Sequence, residues 1–137
     1  MHIYEMRTEQ YLGEIDEITV PPTLPANSFQ THIYVLMRKL PEIKTEIPDK
    51  INQGDNLNVS LSLKGAENTE ARVIRIHLKQ PDGKEALSLR RYPKLEKDGE
   101  KNITLAIPYN ATLGVWEIEA KDVSSGVAVT NKFQVIK

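Results

Sequence analysis

The chain has 137 residues, 39% of them hydrophobic, with 18 Lys and Arg against 19 Asp and Glu and a formal net charge of −1. This balance argues against a nucleic-acid partner, because phosphate binders draw their affinity from a basic excess gathered on one face. The apolar fraction suffices for a core and lies outside the regime of disorder, while no apolar run approaches the roughly 18 residues of a membrane-spanning helix.

Ile (13), Val (9) and Thr (9) supply a β-branched load that favours strands over helices. In the first forty residues, Ile3 to Arg7, Tyr11-Leu12, Glu17 to Val20 and Thr31 to Met37 read as short strands. Val20-Pro21-Pro22-Thr23-Leu24-Pro25 between them reads as an extended, proline-stiffened connector. Four such pieces do not easily close a core alone. Residues 1–40 are therefore expected to be the closing strands of a preceding β-domain, with Lys39-Leu40-Pro41 as the junction. The alternative is that they add strands to the domain that comes next.

From Pro41 onward the apolar residues alternate with polar ones, as in Leu57 to Leu63, Ile74 to Lys79, Ile103 to Ile107 and Trp116 to Lys121. Turns are marked at Gln53-Gly54-Asp55-Asn56, Lys64-Gly65-Ala66, Pro81-Asp82-Gly83-Lys84, Lys97-Asp98-Gly99-Glu100 and Ser124-Ser125-Gly126. This gives seven strands, near 43–47, 56–63, 72–80, 86–92, 101–107, 114–121 and 127–136, and no helix. Seven short strands in about a hundred residues predict an all-β fold: an immunoglobulin-like antiparallel sandwich over 41–137, preceded by the extra strands.

Trp116 shares a strand face with Ile118 and Ala120, opposite Glu117, Glu119 and Lys121, so it is expected to anchor the core. On another strand Arg75, His77 and Lys79 form an outward basic row. In an immunoglobulin-like order that row lies beside Glu117 and Glu119, and cross-strand pairing accounts for both. Glu42, Lys44 and Glu46 are expected to protect a sheet edge.

The chain has no Cys, which removes disulfides, thiolate nucleophiles, thioesters and Cys-ligated zinc together. His2, His32 and His77 lack the spacing of a metal motif, and Asp82 and Asp98 sit in Gly-containing turns. Neither phosphate-cradling Gly pattern occurs, and Ser124-Ser125-Gly126 reads as a hairpin tip. Asn58-Val59-Ser60, Asn102-Ile103-Thr104 and Asn110-Ala111-Thr112 fit the N-glycan acceptor pattern, the first two as solvent-face residues of strands. No catalytic residue, metal ligand or cofactor site is assigned. Tyr92 and Tyr109, beside prolines at strand ends, are the candidate ligand-binding residues for a sugar or a neighbouring domain. The general preference of amphipathic rings is instead to sit half-buried, sealing the ends of a sandwich.

Two stretches resemble known families. Pro81-Asp82-Gly83-Lys84-Glu85, Asp98-Gly99-Glu100, Ile107-Pro108 and Gly114 to Asp122 resemble the later strands of macroglobulin-like and other bacterial immunoglobulin-like modules. Tyr4 to Gly13, with Ile33 to Met37 after it, looks like the closing strands of the β-rich domain that succeeds a glycoside-hydrolase barrel in large bacterial proteins. These resemblances imply a non-catalytic accessory, spacer or docking module of a larger carbohydrate-acting protein that is secreted, periplasmic or on the cell surface. Its partners would be neighbouring domains of the same polypeptide. A carbohydrate-binding module using loop-end aromatics is the alternative. Met1 to Met6 contains no secretory signal, so Met1 is expected either to start a cytoplasmic protein or to begin a piece of a longer chain.

Overall fold

The computed structural model describes residues 1–14, 33–65, 71–96 and 98–137. Glu17 to Val20, the proline connector, His32 and Lys97 lie outside the described residues. Three sheets are present among the described residues. The first has the order β2-β1-β3, from β1 (His2–Glu5), β2 (Gln10–Glu14) and β3 (Tyr34–Met37). The other two face each other as a sandwich. One is β4-β6-β9, from β4 (Glu42–Glu46), β6 (Asn56–Lys64) and β9 (Glu100–Ala106). Its partner is β5-β11-β10-β7-β8, from β5 (Lys50–Asn52), β7 (Arg72–Lys79), β8 (Lys94–Leu95), β10 (Gly114–Asp122) and β11 (Ala128–Ile136).

Alternation in the sequence becomes burial here. Leu57, Val59, Leu61 and Leu63 of β6 face Ile74, Ile76 and Leu78 of β7 and Trp116, Ile118 and Ala120 of β10 across a single apolar core. Trp116 is 2% exposed. It stacks obliquely on Phe133, with ring centroids 6.2 Å apart, and its indole N–H donates to the Thr112 carbonyl at 2.8 Å. Burial of the ring therefore leaves no unpaired donor.

Besides the unexpected two-residue β8, two elements differ from the sequence expectation. The first strand of the sandwich is split: β4 pairs with β6, and after Ile47-Pro48 the chain crosses to the other sheet, where β5 runs parallel to β11. Pro48 has no N–H for the first ladder and holds its predecessor extended, so the crossing falls there. A three-residue strand after a proline carries too little pattern to be read beforehand. Second, the strand expected at 86–92 is a 3-10 turn over Leu87–Leu89, touching β7 only through the bridges Ile76↔Arg91 and Lys79↔Glu85. A strand would put Leu87 and Leu89 on one face, yet Leu87 is 67% exposed and Leu89 is buried. The Glu85 carboxylate and Arg90 guanidinium close across this turn through two hydrogen bonds, at 2.7 and 2.6 Å. That bidentate pair lowers the pKa of Glu85 and raises that of Arg90.

One charged pair is buried at the sandwich end. Asp122 is wholly buried and accepts from Arg72 at 2.7 Å, from the Ser125 hydroxyl at 2.5 Å and from the Ser124 N–H at 3.2 Å. It thereby fixes the β10–β11 turn to the start of β7. Trp116→Ala is expected to lower unfolding free energy by about 3–5 kcal/mol in urea melts, and a loss under about 1 kcal/mol would place the ring outside the core. Asp122→Ala, which strands the Arg72 charge, is expected to cost about 3–5 kcal/mol by the same measurement.

Candidate functional site

On its outer side, the five-stranded sheet is charged rather than apolar. β10 and β7 run antiparallel in the register Glu117↔Lys79, Glu119↔His77 and Lys121↔Arg75, so the basic and acidic rows lie opposite each other as the strand alternation requires. His77 Nε2 is 3.5 Å and Arg75 3.9 Å from Glu119, and Lys132 of β11 reaches Glu117 at 3.3 Å. Cross-strand pairing of this kind is worth about 0–1 kcal/mol per exposed pair, so it sets register more than stability.

Arg75 and Lys121 have a stronger partner than their neighbours in the sheet. The Glu9 carboxylate, from the turn between β1 and β2, accepts from Arg75 at 2.6 and 3.2 Å and from Lys121 at 2.8 Å. Its pKa is held down at about 2 by the hydrogen bonds from Arg75 and Lys121. Glu9 itself sits at φ 55, in the left-handed region that a side chain with Cβ rarely adopts. A second carboxylate makes that turn: Glu5, 3% exposed, accepts from the Thr8 hydroxyl, from the Thr8 N–H at 2.5 Å and from the Arg7 N–H at 3.2 Å. A longer bond from the Ile33 N–H, at 3.4 Å, ties the same carboxylate to the residue before β3. Led by the Thr8 hydroxyl, these bonds hold its pKa at about 2.

Beside the ion pairs lies a ring contact. Tyr4 is 2% exposed, and Lys121 Nζ stands 5.9 Å from its ring centroid. The ring lies against Gly126 in the β10–β11 turn, where an added Cβ would come within 2.1 Å of it. Gly126 is therefore required twice, by its φ of 74 and by the approach of Tyr4. Together, Tyr4 and Glu9 dock the first sheet onto the outer face of the sandwich near the Asp122 end of β10.

The candidate tyrosines lie elsewhere and not in one groove. Tyr109 is 86% exposed, with its ring edge over Gly54 at the turn before β6. Tyr92 is 55% exposed and lines a groove with Arg91, Pro93, Lys101, Ile103 and Thr104. The expected half-buried sealing of the sandwich ends is thus corrected for both: Tyr92 falls at an outward position between buried Leu89 and Pro93, and Tyr109 in the turn between buried Ile107 and Ala111. Of the glycan-acceptor patterns, Asn58 and Thr104 are cross-strand partners joined by a 3.0 Å hydrogen bond on the outer face of β6 and β9. No group of His, Cys, Asp and Glu that could hold a metal ion occurs among the described residues, nor does a helix long and apolar enough to cross a membrane.

Sequence reasoning missed Tyr4, Glu9, Asp122 and Arg72. Asp122 carried a usable signal, an Asp at a strand end with Ser-Ser-Gly shortly after it, where its side chain closes a turn. Glu9 had none, since its partners are 66 and 112 residues away.

No protein-family model and no curated protein matches the sequence. Among solved structures, the chain is similar to the CARDB domain of a Pyrococcus furiosus protein, determined in complex with di-metal ions. The TM-score is 0.47 at 14% identity, over 74% of this chain and 93% of that one. Assignment of the sandwich rests on this chain's own strand order.

Acid should loosen the docked sheet before the core. The folded pKa values of Glu5 and Glu9 are depressed from 4.5 to about 2, so the undocked state binds more protons. Their stabilisation is complete above about pH 4.5 and is lost as the pH falls toward 2. Hydrogen exchange of the β1 amides is expected to accelerate across that window while the β6 amides stay protected, with Glu9→Gln showing part of the acceleration already at pH 7.

Proposed function

We propose that this chain is a non-catalytic connecting module of a larger protein, in which an immunoglobulin-like sandwich fixes the closing strands of a preceding β-domain, residues 1–40, in one orientation. The observation that carries this reading is the two-part dock: the Glu9 carboxylate gripped by Arg75 and Lys121, and the Tyr4 ring seated on Gly126. A flexible tether would need neither. The dock lies by the Asp122 end of β10, whereas β11 finishes beside Gly114, at the opposite end of that strand. Nine residues separate the two poles, about 30 Å at roughly 3.3 Å per residue. A domain joined at one pole is therefore held at a set distance from one joined at the other.

The non-catalytic part of the reading is supported by how the buried polar side chains are used. Glu5 builds a turn, and Asp122 accepts from Arg72 and Ser125 at the β10–β11 hairpin. Each has a structural task. In this reading the larger protein is bacterial, exported and carbohydrate-acting, as the resemblance of the first strands to the domain after a glycoside-hydrolase barrel implies, and an upstream coding sequence for such a barrel would support it.

Because the chain has no Cys, two spin labels can be placed cleanly through Gln10→Cys and Lys137→Cys. The expected result is a narrow distance distribution that broadens when Gly126→Ala or Glu9→Gln is added. A broad distribution in the otherwise unaltered chain would remove the connecting role.

A further inference from the structure

The groove beside Tyr92 carries a feature that the docking role leaves unused. It is a shallow, open groove of about 390 Å³ between the segment Arg91-Tyr92-Pro93 and the edge strand β9, on the open margin where β8 ends one sheet and β9 the other. Its charges are of one sign. Arg91 and Lys101 line it and no carboxylate does. Neither cation has an ion-pair partner among the described residues, in contrast to Arg75, Arg90, Lys121 and Lys132, which all do.

The groove is also held in shape. Arg91 donates to the carbonyls of Ser88 and Arg90 at 2.9 and 2.8 Å, which fixes its stem along the 3-10 turn. Arg90, on the same segment, is clamped by Glu85 through two hydrogen bonds. Tyr92, between these anchored residues and buried Pro93, remains 55% exposed. An exposed ring on an anchored segment, flanked by cations, suits a ligand that offers both C–H faces and carboxylates.

Two polymers meet that description in part, an acidic saccharide and an acidic peptide added as a strand to β9. Position in the pleat separates them. Lys101 and Ile103 alternate with Glu100, Asn102 and Thr104, so Lys101 is a charge turned inward on an edge strand. Its Nζ reaches the Lys94 carbonyl across the margin at 3.4 Å. An inward Lys of this kind obstructs the approach of another strand. We propose that the Tyr92 groove binds a uronate-bearing saccharide, with the Tyr92 ring stacked on a pyranose face and Arg91 and Lys101 pairing with its carboxylates. This site is independent of the connecting role and differs from a paired-aromatic platform, since Tyr109 takes no part.

Calorimetric titration of the intact chain with hexamers of galacturonate, of guluronate and mannuronate, and of a glucuronate-containing polymer tests it, each compared with its methyl-esterified form. At least one uronate is expected to bind, about tenfold more weakly when esterified and about tenfold more weakly to Tyr92→Ala, a loss of about 1.4 kcal/mol in either case. Lys101→Gln should weaken binding and flatten its salt dependence. Tyr92 is exposed, so the urea midpoint of Tyr92→Ala should match the parent and exclude misfolding as the cause. No binding across the panel would overturn the proposal. So would equal affinity for the esters, or a poly-glutamate peptide that binds as well and is indifferent to Tyr92→Ala. None of these outcomes bears on the label-distance result.

Discussion

A pleated strand gives every second side chain to one face, and in a sandwich only one of those faces can be dry. That constraint organises the whole molecule. Once Leu57 to Leu63, Ile74 to Leu78 and Trp116 to Ala120 are committed to the interior, Arg75, His77, Lys79, Glu117, Glu119 and Lys121 are committed to the outside of the five-stranded sheet. The charged face is thus a geometric consequence of the core, and it is the surface against which the first sheet docks.

The dock gains its specificity from combination rather than from strength. Exposed ion pairs add little individually and are screened by salt. Here one carboxylate accepts from two cations on adjacent strands, Arg75 and Lys121, which face each other in the register. A one-residue slip between β7 and β10 would turn one of them away. Tyr4 adds a contact of a different kind, governed by shape, because only glycine at 126 leaves room for the ring. Electrostatics therefore selects the orientation of the hairpin, and the glycine contact sets its depth.

Local periodicity made most of the sandwich legible: β6, β7, β9, β10 and β11 lie within one residue or so of their expected spans. Trp116 was readable for the same reason, since its face was declared by Ile118 and Ala120. The hidden parts were decided by partners distant in sequence or by backbone chemistry acting over two or three residues. β5 exists because β11 offers it a parallel edge. The 3-10 turn at Leu87–Leu89 replaces a strand because Glu85 and Arg90 close across it. Glu9 looks like any surface acid until the fold brings Arg75 to it. Tyr92 and Tyr109 could be placed at strand ends, but whether a ring at such an end tucks in or stands out depends on the neighbouring loop, and here both stand out.

Three surfaces of the sandwich consequently have different characters. The outer face of the five-stranded sheet is charge-balanced and engaged by Glu9 and Tyr4. The outer face of β4-β6-β9 carries short polar side chains such as Ser60, Ser62 and Asn58 between longer charged ones, the composition of a solvated sheet. The open margin between β8 and β9 combines an exposed ring with cations that have no ion-pair partner among the described residues. Edge protection explains Lys101 there, but it does not explain Arg91, which belongs to no edge strand and is held in place by two backbone carbonyls. Nor does it explain an aromatic ring left open to water beside it. Pairing accounts for the charged face of β7, β10 and β11, and burial with pairing for Arg72 and Asp122. This one they leave over, and a ligand with the opposite charge and a flat apolar face would account for both parts at once.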